Sequence, residues 1–208
     1  MINEALKHAL VDSYDNHASE REKNDLQDWK SSEREVFYRV LAERGKTSLL
    51  EVGAGPGKDS LFFKEMGMDV LATDISPSMV ELCRSKGLNA RVMSFDEIDL
   101  PEQSLDAVWA LNCLLHVPKA QIRSVLAGLK RVLKPDGLFY MGVYGGKDHE
   151  GIWEEDPYKP ARFFSFFEDE QLKDLLSEFF TVEYFNVVPA SVVGGKFHFQ
   201  SVILRKPE

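Results

Sequence analysis

Apolar positions along the chain follow two rhythms. Short apolar runs at 47–52, 70–73, 90–93, 104–111 and 138–144 have the length of buried strands. Between them, apolar residues fall three and four apart, the spacing of a helix with one buried face. Leu61, Phe62 and Met66 form one such face, closed by Gly67. Met79, Leu82 and Cys83 form another, closed by Gly87. Pro118 opens a third, with Ile122, Val125, Leu126, Leu129, Val132 and Leu133 at clean helical spacing.

The flanks read differently. Residues 1–45 are polar and helical. Ser32 with Glu35 fits a capping box ahead of Val36, Phe37, Val40 and Leu41, and Gly45 supplies a stop. Residues 145–164 are rich in glycine, proline and aromatics and predict an irregular insertion. Loops of that length inside a domain usually carry function. Ser165 with Glu168 predicts a second capping box, before the face made by Leu172, Leu175, Leu176, Phe179 and Phe180. Two β-rich segments, 182–188 and 196–204, close the chain.

Length and charge narrow the classes. The chain has 208 residues, enough for one domain with a full core and too few for two. Its net charge of −9 argues against a broad nucleic-acid surface. No apolar run reaches membrane-spanning length and no signal segment opens the chain, so a cytoplasmic location is the expectation. Cys83 and Cys113 read as small buried hydrophobes, and the five histidines are scattered without ligand spacing. No metal site is expected.

The chemistry concentrates at Glu51-Val52-Gly53-Ala54-Gly55-Pro56-Gly57. A buried strand ends here in a glycine turn and passes into a helix from about Lys58. Glycine tolerates positive φ and lets a ligand approach the main chain, and the helix aims free N–H groups at the same point. The dinucleotide pattern G-x-G-x-x-G needs a glycine where Lys58 stands. Asp74 lies about 20 residues past the turn, at the tip of the next strand, where its two oxygens can accept both hydroxyls of a ribose. Ser76-Pro77 supplies the cap and first turn of the following helix.

The order Glu51-x-Gly53-x-Gly55-x-Gly57 resembles the first motif of the class I S-adenosylmethionine-dependent methyltransferases, of the small-molecule type. Three further stretches occur in that family's order. They are Asp74, the fourth-strand text Ser104-Leu105-Asp106-Ala107-Val108, and the turn Arg131-Val132-Leu133-Lys134-Pro135-Asp136-Gly137. Leu105 replaces the family's usual aromatic, and Asp136 a glycine. The resemblance implies one domain over 1–208, of α/β class. Its Rossmann-like, doubly wound, seven-stranded and mostly parallel sheet would carry helices on both faces and a reversed C-terminal β-hairpin. Residues 1–45 become a helical cap and 145–164 a substrate-side insertion.

The same resemblance implies S-adenosyl-L-methionine as cofactor and S-adenosyl-L-homocysteine as product. It places Tyr14, Glu51, Gly53, Ala54, Gly55, Gly57, Asp74, Ile75, Met79, Leu111 and Asn112 against the cofactor. Met79 fits core packing equally well. The adenine edge falls on either Ser94-Phe95 or Asp96-Glu97. Tyr14, in Tyr14-Asp15-Asn16-His17-Ala18, would close over the cofactor, or else stands as a surface tyrosine on an ordinary amphipathic leader helix. His116, in the turn after the fourth strand, could remove a proton from the acceptor or serve as a hydrogen-bonded structural residue. Tyr144, Trp153, Tyr158 and Arg162 are the candidate substrate contacts. The implied reaction is methyl transfer to an O, N, S or C nucleophile of a small molecule. The alternative is a cofactor-binding scaffold or regulatory protein without turnover.

Overall fold

The computed structural model describes residues 2–208. In chain order the elements are α1 (Glu4–Asn16), α2 (Ala18–Lys23), α3 (Asp28–Glu43), β1 (Ser48–Val52), α4 (Lys58–Glu65), β2 (Asp69–Asp74), α5 (Pro77–Ser85) and β3 (Asn89–Val92). There follow β4 (Leu105–Leu111), a 3-10 turn (Leu114–His116), α6 (Ile122–Val132) and β5 (Leu133–Gly145). The chain ends with β6 (His149–Ile152), β7 (Phe163–Phe166), α7 (Asp169–Ser177), β8 (Thr181–Val188), α8 (Ala190–Val193) and β9 (His198–Arg205).

Seven strands form one sheet in the order β3-β2-β1-β4-β5-β9-β8, and β6 pairs with β7 in a separate two-stranded ribbon. β9 pairs antiparallel with both β5 and β8, so it alone runs against the other six. The sheet is thus the doubly wound, mostly parallel one implied by the sequence. The strand order reverses between β1 and β4, which opens a crevice at their carboxyl ends.

Alternation along the strands divides the core into two layers. Leu50, Val52, Val108, Ala110, Phe139 and Met141 face α6 and α7, whose Val125, Leu126, Leu129, Leu172 and Leu176 pack against them. Leu49, Ala107, Trp109, Leu138 and Tyr140 face α3 and α4, represented by Phe37, Leu41 and Phe63. Trp109 stacks on Tyr140 at 3.9 Å between ring centroids. Among the described residues no helix is long and apolar enough to cross a membrane.

Local readings fail where packing moves a helix end. α3 starts at Asp28, not after Ser32, because Trp29 is buried against Phe199 (4.6 Å) and draws in one more turn. Ser32 instead bonds the carbonyl of Asp28 within the helix. α6 starts at Ile122, since the Pro118 carbonyl closes a turn with the N–H groups of Gln121 and Ile122. α7 is capped by Glu168 with Gln171 rather than by Ser165 with Glu168. Ser165 lies in β7, where its hydroxyl donates to the Val117 carbonyl at 2.7 Å. Just past the end of α4, Met66 is exposed, and Phe63 fills the core position. The segment 145–164 is not irregular throughout: β6 and the start of β7 make it a ribbon.

Candidate active site

The glycine turn joins β1 to α4 at the crevice. Gly53 has φ +68° and Gly55 φ +54°, a backbone that favours glycine. A Cβ on Gly53 would stand 2.3 Å from the Cβ of Cys113, so the turn is pressed against the end of β4. A Cβ on Gly55 would meet only Nη2 of Arg21, at 3.5 Å, so this face of the turn opens toward a side chain of the cap. Gly57 answers to packing instead, since a Cβ there would strike Leu88 and Cys83. Ala54 is buried, its N–H bonded to the Thr73 carbonyl at 2.9 Å.

Asp74 ends β2 beside the turn. Its Oδ2 accepts from the Gly55 N–H at 2.8 Å and its Oδ1 from the Ser76 N–H at 2.9 Å. Burial raises its carboxyl above the ordinary value even though these N–H groups oppose the shift. Glu51 is buried below, bonded by the Ser60 hydroxyl. Burial and then the nearby Asp59 carboxylate push it well above its ordinary value. Asp59 is itself held by Arg34 at 2.8 Å and by the Trp109 indole N–H at 3.2 Å.

The N-terminal cap closes this edge. Asp15 accepts from the Ser76 hydroxyl and from the Ser78 N–H at 3.2 Å, which docks α1 on the start of α5. Tyr14 is thereby placed over the end of β4. His116 Nδ1 lies 2.7 Å from the Phe163 carbonyl and must donate to it. Its Nε2 therefore accepts, and the Tyr14 hydroxyl donates to it at 2.8 Å. Arg162 Nη1 donates to the same Tyr14 oxygen at 3.2 Å. Burial lowers the His116 pKa to about 3, which keeps the ring neutral. Burial raises that of Tyr14 despite Arg162 and Arg21 beside it.

Two spaces result. An outer cleft of about 480 Å³ runs along Glu51, Gly53, Ala54, Asp59, Asn112 and the cap residues Arg21 and Lys30. An inner cavity of about 40 Å³ is walled by Tyr14, Gly55, Asp74, Ile75, Phe95, Leu111 and His116, among others. Arg21, Gly53, Leu111 and Asn112 line both, so the two are parts of one cleft. Arg21 stands at the junction. Its guanidinium lies 5.1 Å from the Tyr14 ring and gives Nη1 to the Tyr158 hydroxyl at 3.3 Å. Its Nε is buried without a partner, and no carboxylate of the described residues pairs with it. Asn112, at φ +56°, likewise buries an unpartnered Oδ1.

The expected site residues do not all converge. Tyr14, Glu51, Gly53, Ala54, Gly55, Asp74, Ile75, Phe95, Leu111, Asn112 and His116 line the cleft. Met79 is fully buried and lines none of these cavities, so its role is packing. Asp96 is occupied by the Ile2 N–H at 2.8 Å, by Lys7 at 3.1 Å and by the Ser94 hydroxyl, which leaves Phe95 on the cavity wall. Tyr158 stacks on His17 at 4.1 Å, and Arg162 lies 4.0 Å from the Tyr158 ring. Tyr144 packs against Phe199 at 5.4 Å, on the side of Leu111. Trp153 is displaced: it packs on Phe164, Phe166 and Phe197, with Phe164 between it and His116. Arg21 is the residue sequence reasoning missed. A single arginine in a polar helical leader carries no local signal.

Comparison with known proteins fits this geometry. A family model described as a methyltransferase domain matches residues 50–141. A demethylmenaquinone methyltransferase of Tropheryma whipplei is 30% identical over 109 residues, covering 50% of this chain and 44% of the relative. A ubiquinone biosynthesis O-methyltransferase of Xanthomonas oryzae is 31% identical over 102 residues, covering 46% and 42%. The chain thus spans less than half the length of these curated relatives. Among solved structures, the 1,6-didemethyltoxoflavin-N1-methyltransferase of Burkholderia thailandensis, with its substrate and S-adenosylhomocysteine bound, superposes with a TM-score of 0.75. It shares 23% identity and covers 98% of this chain and 88% of its own.

Proposed function

We propose that this chain is a class I S-adenosylmethionine-dependent methyltransferase that transfers the cofactor's methyl group to an O, N, S or C atom of a small molecule. The observation that carries this reading is the cleft at the end of β1 and β4. An open glycine turn, a buried carboxylate and a half-buried guanidinium that pairs with no carboxylate of the described residues line it together.

The residues fit such a cofactor. Asp74 would accept from the ribose hydroxyls, Ile75 and Phe95 would flank the base, and Gly53 and Gly55 would admit the amino-acid portion. Arg21 would take the carboxylate, the anion it lacks here. The outer cleft lies in the size range of small-molecule sites, roughly 300–1,000 Å³. The inner cavity does not, so α1 and Arg21 must move aside to admit a nucleoside at Asp74.

When bound, the cofactor supplies a methyl group already activated by a positively charged sulfur. The chain's task is then alignment and exclusion of water. With α1 closed again, Tyr14, held by His116 and Arg162, forms a wall over the carboxyl end of β4. Leu111 and Cys113 close the floor. The neutral His116 orients Tyr14 and resists taking up a proton. The cytoplasm is the location that goes with this reading, since both cysteines are free thiols, as suits a reducing compartment.

Calorimetric titration with S-adenosylmethionine, S-adenosylhomocysteine and NADH tests it. Micromolar binding of the first two, near −8 kcal/mol, with no response to NADH is the expected outcome. Binding of NADH alone, or of none of the three by folded protein, overturns it.

A further inference from the structure

A second small cavity, of about 30 Å³, touches the inner one at Leu10, Ile75, Phe95 and His116. It lies between α1 and the β6–β7 ribbon. Leu6 and Leu10 wall it on one side, Ile152 and Phe163 on the other, and two cations, Arg162 and the ion-paired Lys7, line it. Leu6, Leu10 and Tyr14 are spaced four apart, so one face of α1 serves both cavities.

Arg162 is only partly committed. Its Nε and Nη2 donate to Asp156 at 2.8 and 2.9 Å, and its Nη1 donates to Tyr14 at 3.2 Å. A guanidinium carries five N–H hydrogens, so two remain for a ligand.

No free base stands opposite. Both ring nitrogens of His116 are in use, one toward Phe163 and one toward Tyr14. The Tyr14 hydroxyl is bonded on both sides. Lys7 is held by Asp96, Glu97 and Glu4. Each oxygen of Asp74 receives a backbone N–H group, and its remaining lone pairs go to the ribose in the reading above. Cys113 keeps its proton, because burial pushes its thiol far up. Among the described residues, no side chain around these cavities is a free base: the unpartnered Asn112 Oδ1 is an amide oxygen, too weak to take a proton from an incoming group.

We propose that the methyl acceptor is an apolar weak acid that binds as its conjugate base, its anionic atom received by the free hydrogens of Arg162 and its apolar body lodged between α1 and the β6–β7 ribbon. This rests on the methyltransferase reading above and narrows it. The lone pair of the anionic oxygen, sulfur or nitrogen forms the new bond to carbon. The electron pair of the broken carbon–sulfur bond stays on sulfur, and no proton remains to be removed. A cationic product would instead be left beside Arg162 and Arg21. The cavity has room for little more than water, so the side chains of Leu6 and Ile152 in its wall give way to admit the acceptor.

The test uses the full chain loaded with S-adenosylhomocysteine, with 4-nitrophenol and its neutral analogue nitrobenzene as probes. The visible band of the phenolate reports the ionisation of bound 4-nitrophenol. The bound probe should ionise at a lower pH than the free one, and the phenolate should bind about tenfold or more tighter than nitrobenzene. Arg162→Gln should erase both effects, and Arg162→Lys should keep part of each. The proposal is overturned if the bound probe stays neutral, if nitrobenzene binds as well, or if neither binds. A preference that survives in folded Arg162→Gln protein overturns it as well. The comparison of the two probes on the unaltered chain decides the matter even where a variant does not fold. Binding of S-adenosylhomocysteine is measured on the same sample. If it binds and the phenolate is not preferred, the acceptor class alone fails; if it does not bind, the methyltransferase reading fails.

Discussion

The Tyr14 hydroxyl donates to Nε2 of His116 at 2.8 Å, joining α1 to the turn after β4 across 102 positions of sequence. This bond, with Asp15 on the start of α5, fixes the N-terminal cap over the crevice at the ends of β1 and β4.

Tyr14→Phe keeps the ring and removes this bond. It leaves the buried His116 Nε2 without a donor, a loss of about 1 kcal/mol or somewhat more. The melting temperature should fall by about 2–4 °C, as scanning calorimetry would read. Cofactor affinity should change little, because Arg21 and Asp74 remain. An unchanged melting temperature would show that the bond does not hold the cap.

The lowered pKa of His116 makes a pH prediction. The ring's ordinary value is 6.5, and in the folded protein it is about 3. Between those values the unfolded chain takes up a proton that the folded chain refuses. Stability contributed by the neutral ring is therefore full above 6.5 and declines as pH falls toward 3. Urea melts of His116→Gln should show a shallower decline over this window than the parent chain. Parallel curves would place the acid sensitivity in other groups.

In the proposed reading Asp74 has two duties, so its removal has two effects. Asp74→Ala strips both the ligand contact and the acceptor for two buried N–H groups. Asp74→Asn keeps the shape and part of the backbone bonding but loses the charge. It should weaken cofactor binding by about 1.5–3 kcal/mol with a smaller loss of stability than alanine causes. Unchanged calorimetric affinity in Asp74→Asn would remove its charge from cofactor binding.

Arg21 sets stability against binding. A half-buried guanidinium whose Nε has no partner and which pairs with no carboxylate stabilises the free protein little. Arg21→Met should therefore leave the free protein as stable or more so, while cofactor affinity falls by about tenfold or more. A destabilised variant with full affinity would assign Arg21 to the fold alone.

The glycine turn predicts a clash with a named partner. Gly53→Ala would bring two Cβ atoms to 2.3 Å at a backbone of φ +68°, costing about 2–4 kcal/mol from overpacking and strain together. Cys113→Ala should not rescue it, because the Cβ remains, whereas Cys113→Gly should recover part of the stability. Denaturant unfolding of the three chains separates these outcomes.

What the sequence by itself determined is local in origin. Strand β1, the glycine turn, the start of α4 at Lys58, the place of Asp74 at the end of β2 and the buried face of α6 follow from periodicity and backbone preference over a few residues. Those constraints act between near neighbours and are written where they act. The tertiary structure decided the partners. Ser32 and Ser165 both had the text of a helix cap, yet packing of Trp29 moved one helix start and strand pairing took the other serine. Trp153 looked like a substrate contact until Phe164 came between it and His116. Arg21 became part of the site only because α1 and α2 fold back over the crevice. Which side chain meets which across a hundred residues depends on how whole elements pack, and no local pattern encodes that choice.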